Sequence, residues 1–66
     1  MLQLERHEEA MSEILGQQTA FFVALGCTDI KQVSSGFDED GGYLFSGMTG
    51  LLPDGKTLHD VIRRPV

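Results

Sequence analysis

The segment at residues 50–57 (GLLPDGKT) has the residue types and spacing of a phosphate-binding loop. In a G-x-x-x-x-G-K-[ST] loop, backbone N–H groups surround the phosphates, the lysine reaches the terminal phosphates and the hydroxyl holds Mg²⁺. Pro53 removes one N–H from such a cradle, and Pro53, Asp54 and Gly55 are a strong turn signal by themselves. We therefore interpret the segment as a turn, and nucleotide binding through it is the third of three functional hypotheses.

Other residues suited to chemistry lack the partners that the chemistry needs. Residues 38–42 (DEDGG) start like a calcium loop, but position twelve, where such loops carry a bidentate glutamate, is Thr49. His7 and His59 are too few for a four-ligand zinc site, and no base lies near Cys27 in the sequence. We expect a protein that is not an enzyme and that has no metal and no cofactor.

A single helix is predicted for residues 3–25, and Gly26 stands where a C′ glycine ends a helix. The second half of this helix, residues 19–25 (TAFFVAL), is apolar nearly all round, which is typical of a helix packed on every side. We expect the domain to cover one side and a second copy of the chain to cover the other. The interface of that homodimer is predicted to contain Ala20, Phe21, Val23 and Ala24.

Two strands are predicted after the helix, at residues 30–37 and 43–50, because apolar side chains alternate there. Residues 38–42 between them contain two glycines suited to a tight turn. An antiparallel hairpin is the simplest pairing, and a cross-strand contact between Phe37 and Tyr43 would flank its loop.

The last segment, residues 57–64, is predicted to be a short helix. Thr57 is a suitable N-cap, and the apolar residues have helical spacing. A third strand is the alternative, because the preceding Pro-Asp-Gly turn also closes hairpins. The predicted fold is one α+β domain over residues 1–66: a long N-terminal helix packed on an antiparallel β-hairpin with a short C-terminal helix (α-β-β-α), or α-β-β-β with the third strand.

The charge of the chain favours some partners and excludes others. The net charge is −5, whereas direct binding of nucleic acid needs clustered lysine and arginine, so we expect none. No apolar run approaches the roughly 20 residues of a membrane span. The acidic N-terminal segment does not resemble the basic start of a signal peptide, and a lone cysteine is typical of a reducing compartment. We therefore expect a cytoplasmic location.

Without a catalytic set, we expect the chain to act by binding. The first hypothesis is a small acidic protein-binding module, an inhibitor or adaptor that covers a basic surface of a partner; phage-encoded inhibitors of host defence systems share this profile. The alternative is a structural subunit of a homo-oligomer or larger assembly. The predicted partner contacts are the acids Glu5, Glu9, Glu13, Asp38, Glu39 and Asp40, with Tyr43 as an aromatic anchor.

Overall fold

The computed structural model describes the backbone of residues 2–65 and the side chains of residues 7–65. One helix, α1 (Leu2–Ala24), precedes three strands, β1 (Thr28–Asp38), β2 (Tyr43–Leu51) and β3 (Thr57–Pro65). The strands form an antiparallel sheet in the order β1-β2-β3. Helix α1 packs on one face of this sheet, and no other element of the described chain covers the opposite face.

The predicted N-terminal helix and its end are confirmed. Gly26 has a φ of 79°, a value that glycine adopts at no steric cost. Its amide donates a hydrogen bond to the Val23 carbonyl over 2.9 Å, and the Cys27 amide donates to the Phe22 carbonyl over 3.0 Å. These bonds close the last turn of α1 and direct the chain into β1.

The predicted hairpin is also confirmed, but its register separates two aromatic residues. Asp38 pairs with Tyr43, and Phe37 pairs with Leu44. Because successive side chains of a strand point to opposite faces, Phe37 lies on the helix side and Tyr43 on the other side. The predicted contact between Phe37 and Tyr43 is therefore wrong, and Phe37 stacks instead on His7, with ring centroids 4.8 Å apart.

The predicted C-terminal helix at residues 57–64 is wrong, and the alternative α-β-β-β architecture is confirmed. Burial along β3 alternates with a period of two, so Leu58 and Ile62 face the helix while Val61 faces away from it. The turn before β3 is closed by the Leu52 amide, which donates to the Lys56 carbonyl over 2.8 Å. Pairing with the free edge of β2 outweighed the local helical spacing, because tertiary context overrides a weak local preference.

A small core lies between α1 and the sheet. Phe22 of α1 is fully buried, and the sheet contributes Leu44 and Met48, which are also buried. Ile14 and Cys27 complete the buried apolar residues of the part of the chain whose side chains are described. A core of this size is what a short chain with a single covered sheet face can form.

Candidate functional site

The acids that were predicted to contact a partner come from two elements that meet at one end of the molecule. The stack of His7 on Phe37 holds the N-terminal half of α1 beside the end of β1. Exposed acids of α1, Glu8 and Glu9, follow His7, and the acids of the β1–β2 loop follow Phe37. We call the acids at this end of the molecule the acidic end; they are Glu8, which was not among the predicted contacts, and Glu9, Asp38, Glu39 and Asp40, which were.

The arginines of β3 do not neutralise the acidic end. Arg64 donates through Nη1 to Glu13 Oε2 over 2.8 Å, and the Arg63 guanidinium lies 5.9 Å from the centroid of the Tyr43 ring. Among the described side chains, this Arg64–Glu13 bridge is the one ion pair. Glu13 is thus engaged within the chain, and the side chain of Glu5 lies outside the described residues.

Hydrogen bonds of the chain itself hold Asp38 ionised. The Gly41 amide donates to Asp38 Oδ1 over 2.9 Å. That bond and a second one from the Tyr43 hydroxyl keep the pKa of the Asp38 carboxyl below its usual value of 3.8. A carboxylate stabilised in this way fixes the conformation of the loop that presents Glu39 and Asp40.

Replacing Asp38 with asparagine is expected to lower stability at neutral pH and to have a smaller effect in acid. A carboxyl whose pKa is depressed by folding contributes stability above its unfolded pKa, and that contribution is lost as the pH falls through the lower folded value. Thermal melts from pH 7 to pH 2 measure the difference between the two proteins. Glu39→Gln is the control, because Glu39 accepts no hydrogen bond from the described residues; a pH-independent deficit in Asp38→Asn would contradict the assignment.

The face of the sheet opposite α1 is built to be flat. We call it the open face. By the strand register it consists of Lys31, Ser34, Gly36 and Asp38 of β1, Tyr43, Phe45, Gly47, Thr49 and Leu51 of β2, and Thr57, His59, Val61 and Arg63 of β3. A Cβ atom on Gly36 would lie 3.0 Å from Phe45 Cζ, so the Phe45 ring extends across β1 where a side chain is absent. The Tyr43 ring lies in the same way against Gly41. Tyr43 therefore belongs to the open face, and the helix acids lie on the other side of the sheet.

The segment that resembles a phosphate-binding loop spans the end of β2, a turn and the start of β3. A phosphate loop places its anion at the N-terminus of the helix that follows, whereas the residues that follow here are β3. Together with Asp29 and Lys31 of β1, this region lines a depression of about 170 Å³. Among the described residues, no three side chains of the His, Cys, Asp and Glu types are grouped to hold a metal ion.

The chain matches no protein-family model, no curated protein and no solved structure. Its function must be argued from its own geometry. No helix within residues 2–65 combines the length and hydropathy that crossing a bilayer requires.

A buried polar network joins α1 to the sheet and was missed in the sequence. Gln18 is fully buried, and its Nε2 donates to the Ser46 carbonyl over 3.0 Å and to the Asp60 carbonyl over 3.2 Å. The Ser46 hydroxyl donates to Gln18 Oε1 over 2.8 Å, and Gln32 Nε2 donates to the same hydroxyl over 2.9 Å. Every buried side-chain nitrogen and oxygen among the described residues has a partner, so the network positions α1 on the sheet without an unpaired polar group.

The residues that were predicted to form an oligomer interface are exposed. Phe21 is 47% exposed and Val23 is 59% exposed, and Ala20 and Ala24 are exposed beside them. These side chains lie on the flanks and back of α1, whereas Phe22 on the inner side is buried. The described chain thus leaves two surfaces uncovered: the back of α1, which is apolar near its C-terminal end, and the open face, where the apolar residues lie among polar and charged ones such as Lys31, His59 and Arg63.

Proposed function

We propose that the chain is a small protein-binding module, an inhibitor or adaptor that covers a cation-rich surface of another protein. The acidic end carries the proposal, because its five carboxylates lie at the same end of the molecule, those of α1 on one side of the sheet and Asp38 on the other, and none has an ion-pair partner among the described side chains. Opposite charges across an interface accelerate the encounter of two proteins and select against wrong partners. Inhibition of a host defence system by a phage protein is one setting for such a module.

Rigid local structure supports this role for the acidic end. The Gly42 amide donates to the Asp38 carbonyl over 2.8 Å, in addition to the bond from Gly41 to the Asp38 side chain. The stack of His7 on Phe37 fixes α1 against the same strand. A surface that is ordered before binding loses less conformational entropy in the complex, so the arrangement favours recognition by these carboxylates.

Charge reversal in the loop is expected to weaken partner capture. Glu39→Lys places a cation among the acids, and we expect about a tenfold loss of affinity, or about 1.4 kcal/mol, through slower association and a weaker salt dependence. The measurement is capture by the immobilised chain from a cell lysate, identification of the bound protein by mass spectrometry, and binding kinetics with that protein after purification.

The matched control for this experiment is Asp54→Lys. Asp54 lies in the exposed turn between β2 and β3, at the opposite end of the sheet, and the substitution changes the net charge by the same amount. Binding that falls equally in both variants would reveal a response to net charge alone. Unchanged binding by Glu39→Lys would show that the acidic end does not contact the partner.

A second candidate function, as a subunit of a homo-oligomer, is favoured by the exposed apolar side chains. Among the described side chains, seven large apolar residues are between 39% and 59% exposed. Three of them are near the C-terminal end of α1: Phe21, Val23 and Leu25. On the open face, Leu51 and Val61 are 41% and 39% exposed. Apolar surface of this kind is typical of an association surface.

A further inference from the structure

We propose that the open face of the sheet is the surface through which two copies of the chain pack face to face, about a two-fold axis parallel to the strands. The shape of the chain is the first support. It measures 43 × 20 × 14 Å and has a radius of gyration of 13.0 Å, whereas a compact domain of this length has about 10.8 Å. Its accessible surface of 4583 Å² exceeds the roughly 4,200 Å² of a compact monomer of this mass. The excess reflects the length of 43 Å, and the shortest dimension of 14 Å makes the chain a thin slab to which a further layer can be added.

The edges of the sheet are unsuited to association, so among the surfaces of the sheet only its open face is available; the back of α1 is the competing surface, and the variants below distinguish the two. β1 and β3 are the two edge strands. β1 has register shifts between Thr28 and Lys31 and between Gln32 and Ser34, and such bulges, together with edge lysines, prevent strand addition. β3 carries two arginines before Pro65, which also obstruct pairing with another strand.

The open face is flat enough and large enough to pack against a second sheet. Because the Phe45 ring lies across Gly36 and the Tyr43 ring against Gly41, the face is low enough for a second sheet to approach at about 10 Å. Three strands of about nine residues span about 14 × 30 Å. A pair of such faces buries on the order of 1,000 Å², which is at the lower end of specific interfaces and predicts a dimer that dissociates on dilution.

The charges of the open face select the direction of the two-fold axis. Asp38 is at one end of β1, and Arg63 on β3 extends to the level of Tyr43, which pairs with Asp38. An axis parallel to the strands puts β1 of one copy over β3 of the other, so that each Asp38 meets the other copy's Arg63. An axis perpendicular to the strands would instead place Asp38 over the part of β1 that holds both Asp29 and Lys31, whose opposite charges offset each other, so it gives Asp38 no unopposed cation.

This arrangement also brings together the Phe45 rings of the two copies near the axis, where aromatic pairs add to apolar burial. Both β1–β2 loops then lie at the same end of the dimer. Asp38 is used in the contact between the copies, but Glu39 and Asp40 are not. The dimer therefore presents two copies of Glu39 and Asp40 on one surface. A bivalent acidic surface of this kind would strengthen binding to a partner with two cationic patches.

Sedimentation equilibrium of the purified chain from micromolar to millimolar concentration tests the proposal. We expect the mean mass to rise with concentration from 7.3 kDa toward twice that value. Val61→Lys, on the open face, should remain monomeric. Val23→Lys, which adds the same charge to the back of α1, should dimerise like the unmodified chain. A monomer at every concentration, or loss of the dimer only in Val23→Lys, would overturn the proposal.

A charge exchange tests the axis separately. Arg63→Glu and Asp38→Lys should each shift the dimer dissociation constant upward by about tenfold, and the double variant should recover most of that loss. Circular dichroism and melting temperatures establish that each variant is folded before its mass is interpreted. A folded double variant that associates no better than either single variant would exclude the contact between Asp38 and Arg63.

Discussion

Replacing Gln18 with leucine is expected to lower the free energy of unfolding by about 2 kcal/mol, although leucine is more apolar and of similar size. The amide of Gln18 donates to the carbonyls of Ser46 and Asp60 and accepts from the Ser46 hydroxyl. Leucine removes all three hydrogen bonds. The carbonyls of Ser46 and Asp60 and the Ser46 hydroxyl then each lose the bond that Gln18 makes to them. Leaving a buried polar group unpaired costs more than a typical hydrogen bond contributes.

Urea denaturation measures this effect against a control on the same helix. Gln17→Leu makes the same chemical change one residue earlier, at an exposed position, and should alter stability by less than about 0.5 kcal/mol. In Gln18→Leu, a second change of Ser46→Ala removes the hydroxyl whose proton has lost its acceptor. Gln32, which donates to that hydroxyl, is exposed and can bond to water instead, so the second change should restore about 1 kcal/mol. Equal stability of Gln17→Leu and Gln18→Leu would mean that the network does not stabilise the fold.

Much of the architecture follows from patterns that local physics determines. Glycine at position 26 predicted the end of α1 because its positive φ is unfavourable for other residues, and the structure has that φ. The glycine-rich loop at residues 38–42 predicted the first hairpin for a similar reason. The identity of β3 was not determined locally. Leu58 and Ile62 fit both a helix and a strand, and only the free edge of β2 decides between them.

The surfaces available for binding were less predictable than the elements. A strand register that differs by one residue moves a side chain to the opposite face, and this is why Tyr43 was grouped with Phe37 although the sheet separates them. The pairing of Glu13 with Arg64 joins residues 51 positions apart, a separation that no local pattern reveals. Gln18 did leave a signal in the sequence, because it interrupts the apolar side of α1 between Leu15 and Phe22.

Replacing Gly50 with alanine is expected to destabilise the fold by about 2 kcal/mol through overpacking of the core. A Cβ atom on Gly50 would lie 2.7 Å from Phe22 Cδ2 and 3.1 Å from Cys27 Cβ. Phe22 is fully buried in the core with Cys27 and Met48, so its ring cannot turn out into solvent to make room. Glycine at this position is thus required by the approach of α1 to β2, and this requirement accounts for the first glycine of the phosphate-loop pattern without a nucleotide.

Two variants make the test of Gly50 specific. Gly16→Ala, in the exposed middle of α1, has no atom within 4 Å of the added Cβ and should raise stability by about 1 kcal/mol, because alanine favours the helix. Phe22→Leu shortens the side chain that the methyl group added at position 50 would meet. Phe22→Leu should therefore destabilise the Gly50→Ala variant less than it destabilises the unmodified chain. The three variants therefore separate steric overlap from the intrinsic helix preference of alanine. Glycine-to-alanine substitution must raise stability at residue 16 and lower it at residue 50. The loss of stability at residue 50 must also depend on the Phe22 ring. Destabilisation that is additive with Phe22→Leu would show that the two residues do not compete for space.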